Sequence, residues 1–359
     1  MEQLPKEVLE NVLCRLSVYD IIRAGCACKV LRALVSSYTF TSSHSRISPL
    51  LLIHHDSQLG SDRLACAYDA DRGSWLTLSL AFLQPNFPEF AYPVASGGGL
   101  LCFGSGGDFI ACNPINKSWR RFPSLTQIDQ QFDEDSVQGF GLKCNALSGT
   151  YEFYLLNYST IESESTSRLL SFSSSSSQWR SLRPLVMPGT CTLHSNAIIF
   201  CGSKLYTLWH REGSLSVFAF DNGFWSELDV PECISTLLKA FLMDVYGSLY
   251  MVGGVGAVWL RDNFWQHPTS ISIWKMHAQS NAWVEVTRMP AAILHEFQER
   301  INFEELQCWG KNGIMFMKSL QSDVLMFNLC ANEWKWLKNL EIDVETSALI
   351  FEPTLSAMA

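Results

Sequence analysis

The hydrophobic period changes once along the chain. From Leu4 to Ser37 the apolar residues fall at helical spacing, with Val8, Leu9, Val12, Leu13 and Leu16 on one face. Pro5 suits a first helical position, since its φ is already fixed and it wastes no N–H. Ser17-Val18-Tyr19 breaks the pattern, and Asp20 is placed to cap a second short helix carrying Ile21 and Ile22. Val30, Leu31, Leu34 and Val35 mark a third. Three short helices in about forty residues cannot bury this aliphatic surface alone. They either pack on the rest of the chain or dock on another protein.

Beyond residue 46 the apolar runs are short and extended. "LLCFG" (100–104), "AIIFCG" (197–202), "SLYMVGG" (248–254) and "GIMFM" (313–317) are bounded by Gly, Ser and Asn and read as strands. One unit recurs among them: a polar turn followed by a tryptophan, at Trp75, Trp119, Trp179, Trp225, Trp283 and Trp334. Six residues before the Trp stands Asp69, Asn113, Ser173, His277 or Asn328; in the shorter turn before Trp225, Asp221 takes the place. Three residues after it stands Leu78, Phe122, Leu182, Leu228, Val286 or Leu337. The Trp-to-Trp spacings are 44, 60, 46, 58 and 51.

A unit recurring at this period signals a solenoid or a propeller, and each has room for about four strands, one propeller blade. The turn then joins the two outer strands of a blade. The Trp packs between neighbouring sheets, and the apolar residue at +3 continues the buried face. "SALIFEP" (347–353) reads as a last strand closing the ring against "PLLLIHH" (49–55). The pattern predicts a mainly β fold, a six-bladed propeller behind three helices, with seven blades as the alternative count. A Trp-rich sandwich whose strands repeat by chance is the competing reading.

Composition narrows the function classes. Of 359 residues 47% are hydrophobic and 17% charged, the balance of a folded chain. Twelve Trp and 22 Phe need a large interior or a binding surface. A net charge of −9 argues against direct nucleic-acid binding, which needs basic patches. The charge is uneven: residues 1–46 carry six Lys/Arg against four Asp/Glu, and the rest carries 20 against 31. The twelve cysteines form no C-x-x-C pair, and Cys102, Cys112, Cys201 and Cys330 lie in or beside apolar runs. Buried thiols in a reducing cytosol or nucleus are expected. The opening "MEQLPKEVLE" lacks the features of a leader peptide, and no apolar run is long enough to span a membrane.

Two stretches resemble known families. Leu4-Pro5, Val8-Leu9, Val12-Leu13, Arg15-Leu16, Asp20-Ile21-Ile22-Arg23 and Cys28-Lys29 resemble the F-box motif in order and spacing. Many members carry a Trp two residues after Cys-Lys, where this chain has Leu31, which buries less area. The resemblance implies that Leu4, Pro5, Val8, Leu9, Val12, Leu13 and Ile22 contact a Skp-type adaptor, which links to cullin and RING subunits of an SCF ubiquitin ligase. The Trp units resemble kelch-type propellers of plant F-box proteins. The kelch double glycine is clear at Gly253-Gly254 and displaced at Gly98-Gly99 and Gly106-Gly107. Together they imply an F-box over 1–45, a kelch-like propeller over 46–359 that holds a target protein, and a nuclear or cytoplasmic location.

Candidate contacts on the propeller cluster in "WLRDNFWQHP" (259–268). Arg261, Phe264, Trp265 and His267 are residue types enriched at binding hot spots, although such rings also pack under their own blade. "ILHEFQERINFEEL" (293–306) has a helical period with Leu294, Phe297 and Ile301 on one face. "IESESTS" (161–167), with the later serines at 173–177, reads as a mobile loop or a modification site, and "DQQFDED" (129–135) as a solvated connector. Enzyme signals are thin. Asp71-Arg72-Gly73-Ser74-Trp75 lacks one spacer of the sialidase Asp-x-Gly-x-x-Trp box, and His295-Glu296 with Glu299 gives HExxE, not the zinc motif HExxH. No catalytic residue, metal or cofactor is assigned. A protein-interaction scaffold outside any ligase is the second reading and a propeller enzyme the third.

Overall fold

The computed structural model of the chain describes residues 4–35, 37, 40, 49–55, 64–83, 91–129, 132, 136–145, 148–161, 164–189, 191–193, 198–211, 214–231, 237–256, 258–259, 266–319, 323–337 and 346–359. It opens with helices α1 (Lys6–Leu13), α2 (Val18–Ala27) and α3 (Lys29–Val35). Pro5 stands one place earlier than its expected position, as the extended residue before the first turn, with φ −53° and ψ 146°. Ser17, not Asp20, caps α2: its Oγ accepts the Asp20 N–H at 3.2 Å. A capping oxygen must sit two or three positions before the free N–H it meets, and Asp20 lies too far into the helix to reach one. Leu13, Ile21, Leu34 and Phe40 form the helices' core, with Leu9, Leu16, Leu31 and Val35 around it.

The rest is mainly β, in a propeller arrangement. The first sheet runs Thr346–Phe351, Leu50–His55, Leu64–Asp69, Ser74–Ser79. The second runs Tyr92–Gly97, Leu100–Ser105, Asp108–Asn113, Ser118–Arg121. The third orders Val137–Asn145, Thr150–Ile161, Glu164–Ser173 and Gln178–Ser181, with Leu185–Pro188 also on Glu164–Ser173. The fourth centres on Lys204–Arg211, Ser214–Asp221 and Phe224–Leu228, with Cys191–Leu193 and Ile199–Cys201 both on the first of these. An eight-stranded sheet completes the set: Trp283–Arg288, Ser270–Met276, Ser248–Val255 and Leu237–Val245, then Gln307–Lys311, Ile314–Lys318, Val324–Asn328 and Glu333–Leu337. Its halves meet through the parallel pair Asp244–Lys311.

The innermost strands form a closed succession. Thr346–Phe351 touches Tyr92–Gly97, which touches Val137–Asn145, then Ile199–Cys201, Leu237–Val245 and Gln307–Lys311, and the last touches the first. Closure is covalently discontinuous: Phe351 pairs with Leu50 and Thr346 with His55, antiparallel, as the two terminal apolar runs predict. Alternation feeds both seams of each sheet. Leu50 and Leu52 enter a core with Leu101, Phe103 and Phe351, while Leu51 and Ile53 enter another with Tyr68, Phe316 and Met326.

The Trp turns do join outer strand pairs, Trp119 lying opposite Cys112 and Trp179 opposite Phe172. Three indoles make the same bond across a seam. Trp179, Trp225 and Trp283 donate Nε1–H to the carbonyls of Pro123, Arg183 and Asp229, at 2.9, 2.9 and 2.7 Å. Each acceptor lies four residues after the preceding repeat's Trp. Three expectations fail. Trp119 is 38% exposed and joins none of the cores between sheets. Val286 is 46% exposed, because a bulge between Ile273 and Trp274 shifts the register and Met289 takes the buried place. Cys330 is exposed, because it sits in the turn between Val324–Asn328 and Glu333–Leu337 and not in a strand.

The residue two before each Trp is left-handed: Gly73, Lys117, Ser177, Gly223, Asn281 and Asn332 have φ of 62°, 61°, 57°, 84°, 53° and 51°. An L side chain resists this region, so Lys117 carries a strain that glycine would not. Its side chain is exposed. Lys117→Gly should raise stability by about 0.5–1 kcal/mol, after the extra unfolded-state freedom of glycine is deducted. A urea midpoint that falls would show the turn held by something other than this dihedral.

Candidate functional site

Helix α1 presents an apolar stripe to solvent. Val8 and Val12, four apart on it, are 41% and 52% exposed, and Leu4, two residues before its first residue, is 59% exposed. Pro5 is exposed beside them, and Leu9 and Ile22 are half-buried. Leu13 departs from its expected role as a contact residue. It is 4% exposed, because the helix turn that brings Val12 outward carries Leu13 into the core with Ile21 and Leu34. Val30 on α3 is also exposed.

Helix α2 holds the bundle to the propeller. Val18 is buried, and Tyr19 packs on the core shared by the first two sheets. Asp20 pairs with Arg72, which leans on Asp69 at 3.8 Å. Asp69 in turn orders the first Trp turn, its Oδ1 accepting the N–H groups of Asp71 and Arg72. The Arg72 guanidinium holds the Asp20 carboxyl below the usual carboxylate range. Burial raises the Tyr19 hydroxyl above its ordinary value. A second tie comes from the segment after the closing strand. Leu355 packs on the helical core, and Asn113 Nδ2 donates to the carbonyls of Thr354 and Ala357, both at 2.9 Å. Asn116 adds a bond to the Ala357 carbonyl at 2.7 Å. The helices thus both pack on the chain, through α2, and keep an apolar face free, on α1.

Antiparallel alternation assigns the two faces of the propeller. The Trp turns and the short connections 97–100, 145–150, 201–204 and 245–248 leave on the face that carries the helices. The longer connections 79–92, 121–137, 181–199, 228–237 and 288–307 leave on the opposite one. The helix Ala291–Arg300 is one of these, ending sooner than the sequence period suggests, with Phe297 and Ile301 buried in the core between the two halves of the eight-stranded sheet. His295 and Glu299 pair at 3.5 Å on its exposed side. Among the described residues no cluster of three or more His, Cys, Asp or Glu could hold a metal.

Arg261, Phe264 and Trp265 lie outside the described residues. His267 is described and is not a surface contact: it is 2% exposed, on the short strand Gln266–His267 beside Val258–Trp259. Its neighbour Pro268 accepts a bond from Gln298 at 2.8 Å, so the helix end lies close by. Neither ring nitrogen has a hydrogen-bond partner among the described residues. Burial lowers its pKa, so the folded ring stays neutral where the unfolded one, near about 6.5, takes a proton. Stability should therefore fall as pH drops through that range. His267→Leu should flatten this acid limb between about pH 7 and 5. Equal slopes for the two proteins, read from urea midpoints, would remove His267 from the account.

The basic pair after Trp119 braces neighbouring parts of the wall. Arg120 donates to the Ser174 carbonyl at 2.8 Å and to Ser177 Oγ at 2.5 Å, across the seam. Arg121 pairs with Asp108 at 2.9 Å within its own sheet. Ser174–Ser177 form the turn itself.

With this geometry in place, the chain can be set beside known proteins. Residues 1–43 match the F-box domain. The chain therefore carries an F-box domain at its N-terminus, and its homologues are plant F-box/kelch-repeat proteins. Among relatives from Arabidopsis thaliana, Protein UNUSUAL FLORAL ORGANS is 22% identical over 93% of this chain and 78% of its own length. An F-box/kelch-repeat protein is 24% identical over 98% and 89%. SKP1-interacting partner 15 is 24% identical over 99% and 98%. Among solved structures the chain is similar to TolB from Acinetobacter baumannii, with a TM-score of 0.47 at 8% identity over 85% of this chain and 66% of that one.

Proposed function

We propose that this chain is the substrate receptor of an SCF-type ubiquitin ligase. Residues 1–45 bind a Skp-type adaptor, and through it cullin and RING subunits. Residues 46–359 form a six-bladed propeller that holds a target protein. The observation that carries the reading is the apolar pair Val8 and Val12, open on a helix whose partner α2 is already anchored, with Leu4 exposed just before it. Leu9 and Ile22, both half-buried, are assigned to the same contact. The likeness to SKP1-interacting partner 15 along nearly the whole chain supports the same adaptor. The count of six is supported by the closed succession of inner strands, with the eight-stranded sheet taken as two blades joined at Asp244–Lys311.

The chain contributes no catalytic group in this reading. It raises the effective concentration of the target beside a ubiquitin-loaded enzyme. The target face is the one opposite the helices, where the longer connections leave, so that adaptor and target do not compete. The test is co-purification of a Skp-type adaptor with the full chain and with the stripe altered. The packing of α2 on the propeller is what an interaction scaffold outside a ligase would also show, and adaptor capture separates the two.

A further inference from the structure

The closed succession of inner strands encloses a channel of about 770 Å³. That volume is within the range of small-molecule sites, about 300–1,000 Å³. Phe140, Phe200, Phe241 and Trp309 contribute aromatic surface. Five charged groups line it: Lys143, Lys239 and Lys311 against Asp244 and Glu352. The channel is therefore cationic by one charge inside a chain of net −9.

Two of the five cancel. Lys311 Nζ lies 2.5 Å from Asp244 Oδ2, and Glu352 accepts a bond from Asn312 at 3.0 Å. Lys143 and Lys239 have no carboxylate within ion-pair distance among the described residues. Each donates to one backbone carbonyl, Ser203 at 3.2 Å and Glu304 at 2.6 Å. An ammonium group has three donors, so each keeps donors to spare. Each also lies over a ring, Lys143 at 5.7 Å from the Phe200 centroid and Lys239 at 5.9 Å from that of Phe241. Lys239 stands near the start of Leu237–Val245, at the mouth away from the helices, and Asp244 near its other end. Burial pulls the Lys239 ammonium below its ordinary value, against the pull of Glu304 and Glu305. An arriving anion would reverse that cost.

We propose that the channel is a binding site for a small organic anion: a carboxylate or sulfonate on a flat apolar body. The anion sits on Lys239 and the body runs inward past Phe241 and Trp309 toward Lys143. This does not rest on the adaptor reading. It makes the propeller a receptor for a small molecule as well as for a protein.

The probe is the fluorescent anion 8-anilinonaphthalene-1-sulfonate, titrated into the full chain beside the uncharged N-phenyl-1-naphthylamine. One saturable site is expected. Lys239→Gln should weaken the anionic dye about 10-fold, the low end for a hydrogen bond to a charged group, and leave the neutral dye unchanged. Lys239→Arg should keep the binding. Unsaturable binding, or equal anion affinity in Lys239→Gln, overturns the proposal. If Lys239→Gln loses both dyes, Lys239→Arg decides: retained anion binding supports the site and its loss overturns it. Displacement of the dye by a glutamate-rich hexapeptide but not by 4-phenylbutyrate would assign the channel to a target protein's acidic side chains and overturn the small-molecule reading.

Discussion

Changing Val8 and Val12 together to aspartate should abolish capture of a Skp-type adaptor while leaving the melting temperature of the chain unchanged. The two side chains are 41% and 52% exposed and neither belongs to the helical core. In a complex, each buried valine contributes roughly 1.5–3 kcal/mol, and a carboxylate buried without a partner adds a further penalty. A loss of about 3 kcal/mol or more weakens binding at least about 100-fold. Leu4→Ala with Pro5→Ala acts on the same surface and should act in the same direction. Leu13→Ala is the informative contrast. Leu13 fills the helical core, so its truncation should cost about 2–5 kcal/mol of local stability and reduce adaptor binding only through loss of the fold. Adaptor binding that survives the double aspartate change at wild-type strength would sink the assignment of α1 as the adaptor face.

The parts legible in the sequence are those fixed by local pattern. The turn at Asn113–Trp119 announces itself because a buried amide, a left-handed residue and an indole must follow at fixed steps. The closing strand announces itself because a run apolar on both sides needs two cores, and its partner run shows the same demand. What stays hidden is set by distance or by the third dimension. Val12 and Leu13 are adjacent and alike, and only the position of Ile21 and Leu34 decides which of them points in. Asp20 and Arg72 meet across 52 residues of sequence with no local sign of it. Asn113 serves its own turn through Oδ1 and the distant segment 354–357 through Nδ2, and only the first role is visible from spacing. His267 looked like a contact residue because Trp, Phe and Arg crowd around it. The same crowding is what an interior requires, and His267 is interior.

Phe351→Ala should be among the most damaging single changes outside the helices. Phe351 is fully buried in the core with Leu50, Leu52, Leu101 and Phe103, and its backbone pairs opposite Leu50. Removing a buried phenylalanine ring costs about 3–5 kcal/mol through lost transfer energy and the cavity left behind. The position adds to this. The strand Thr346–Phe351 is the one that joins the two ends of the propeller, serving one seam with Phe351 and the next with Ala348 and Ile350. No covalent connection backs it up on that side, so weakening it loosens the first and last sheets together. At about 2 °C per kcal/mol for a chain of this size, the melting temperature should fall by roughly 6–10 °C. Val284→Ala, on the exposed outer strand Trp283–Arg288, should change stability by less than about 0.5 kcal/mol and sets the baseline. A drop for Phe351→Ala no larger than that baseline would mean that the ring is held elsewhere and that the terminal strand is only appended to it.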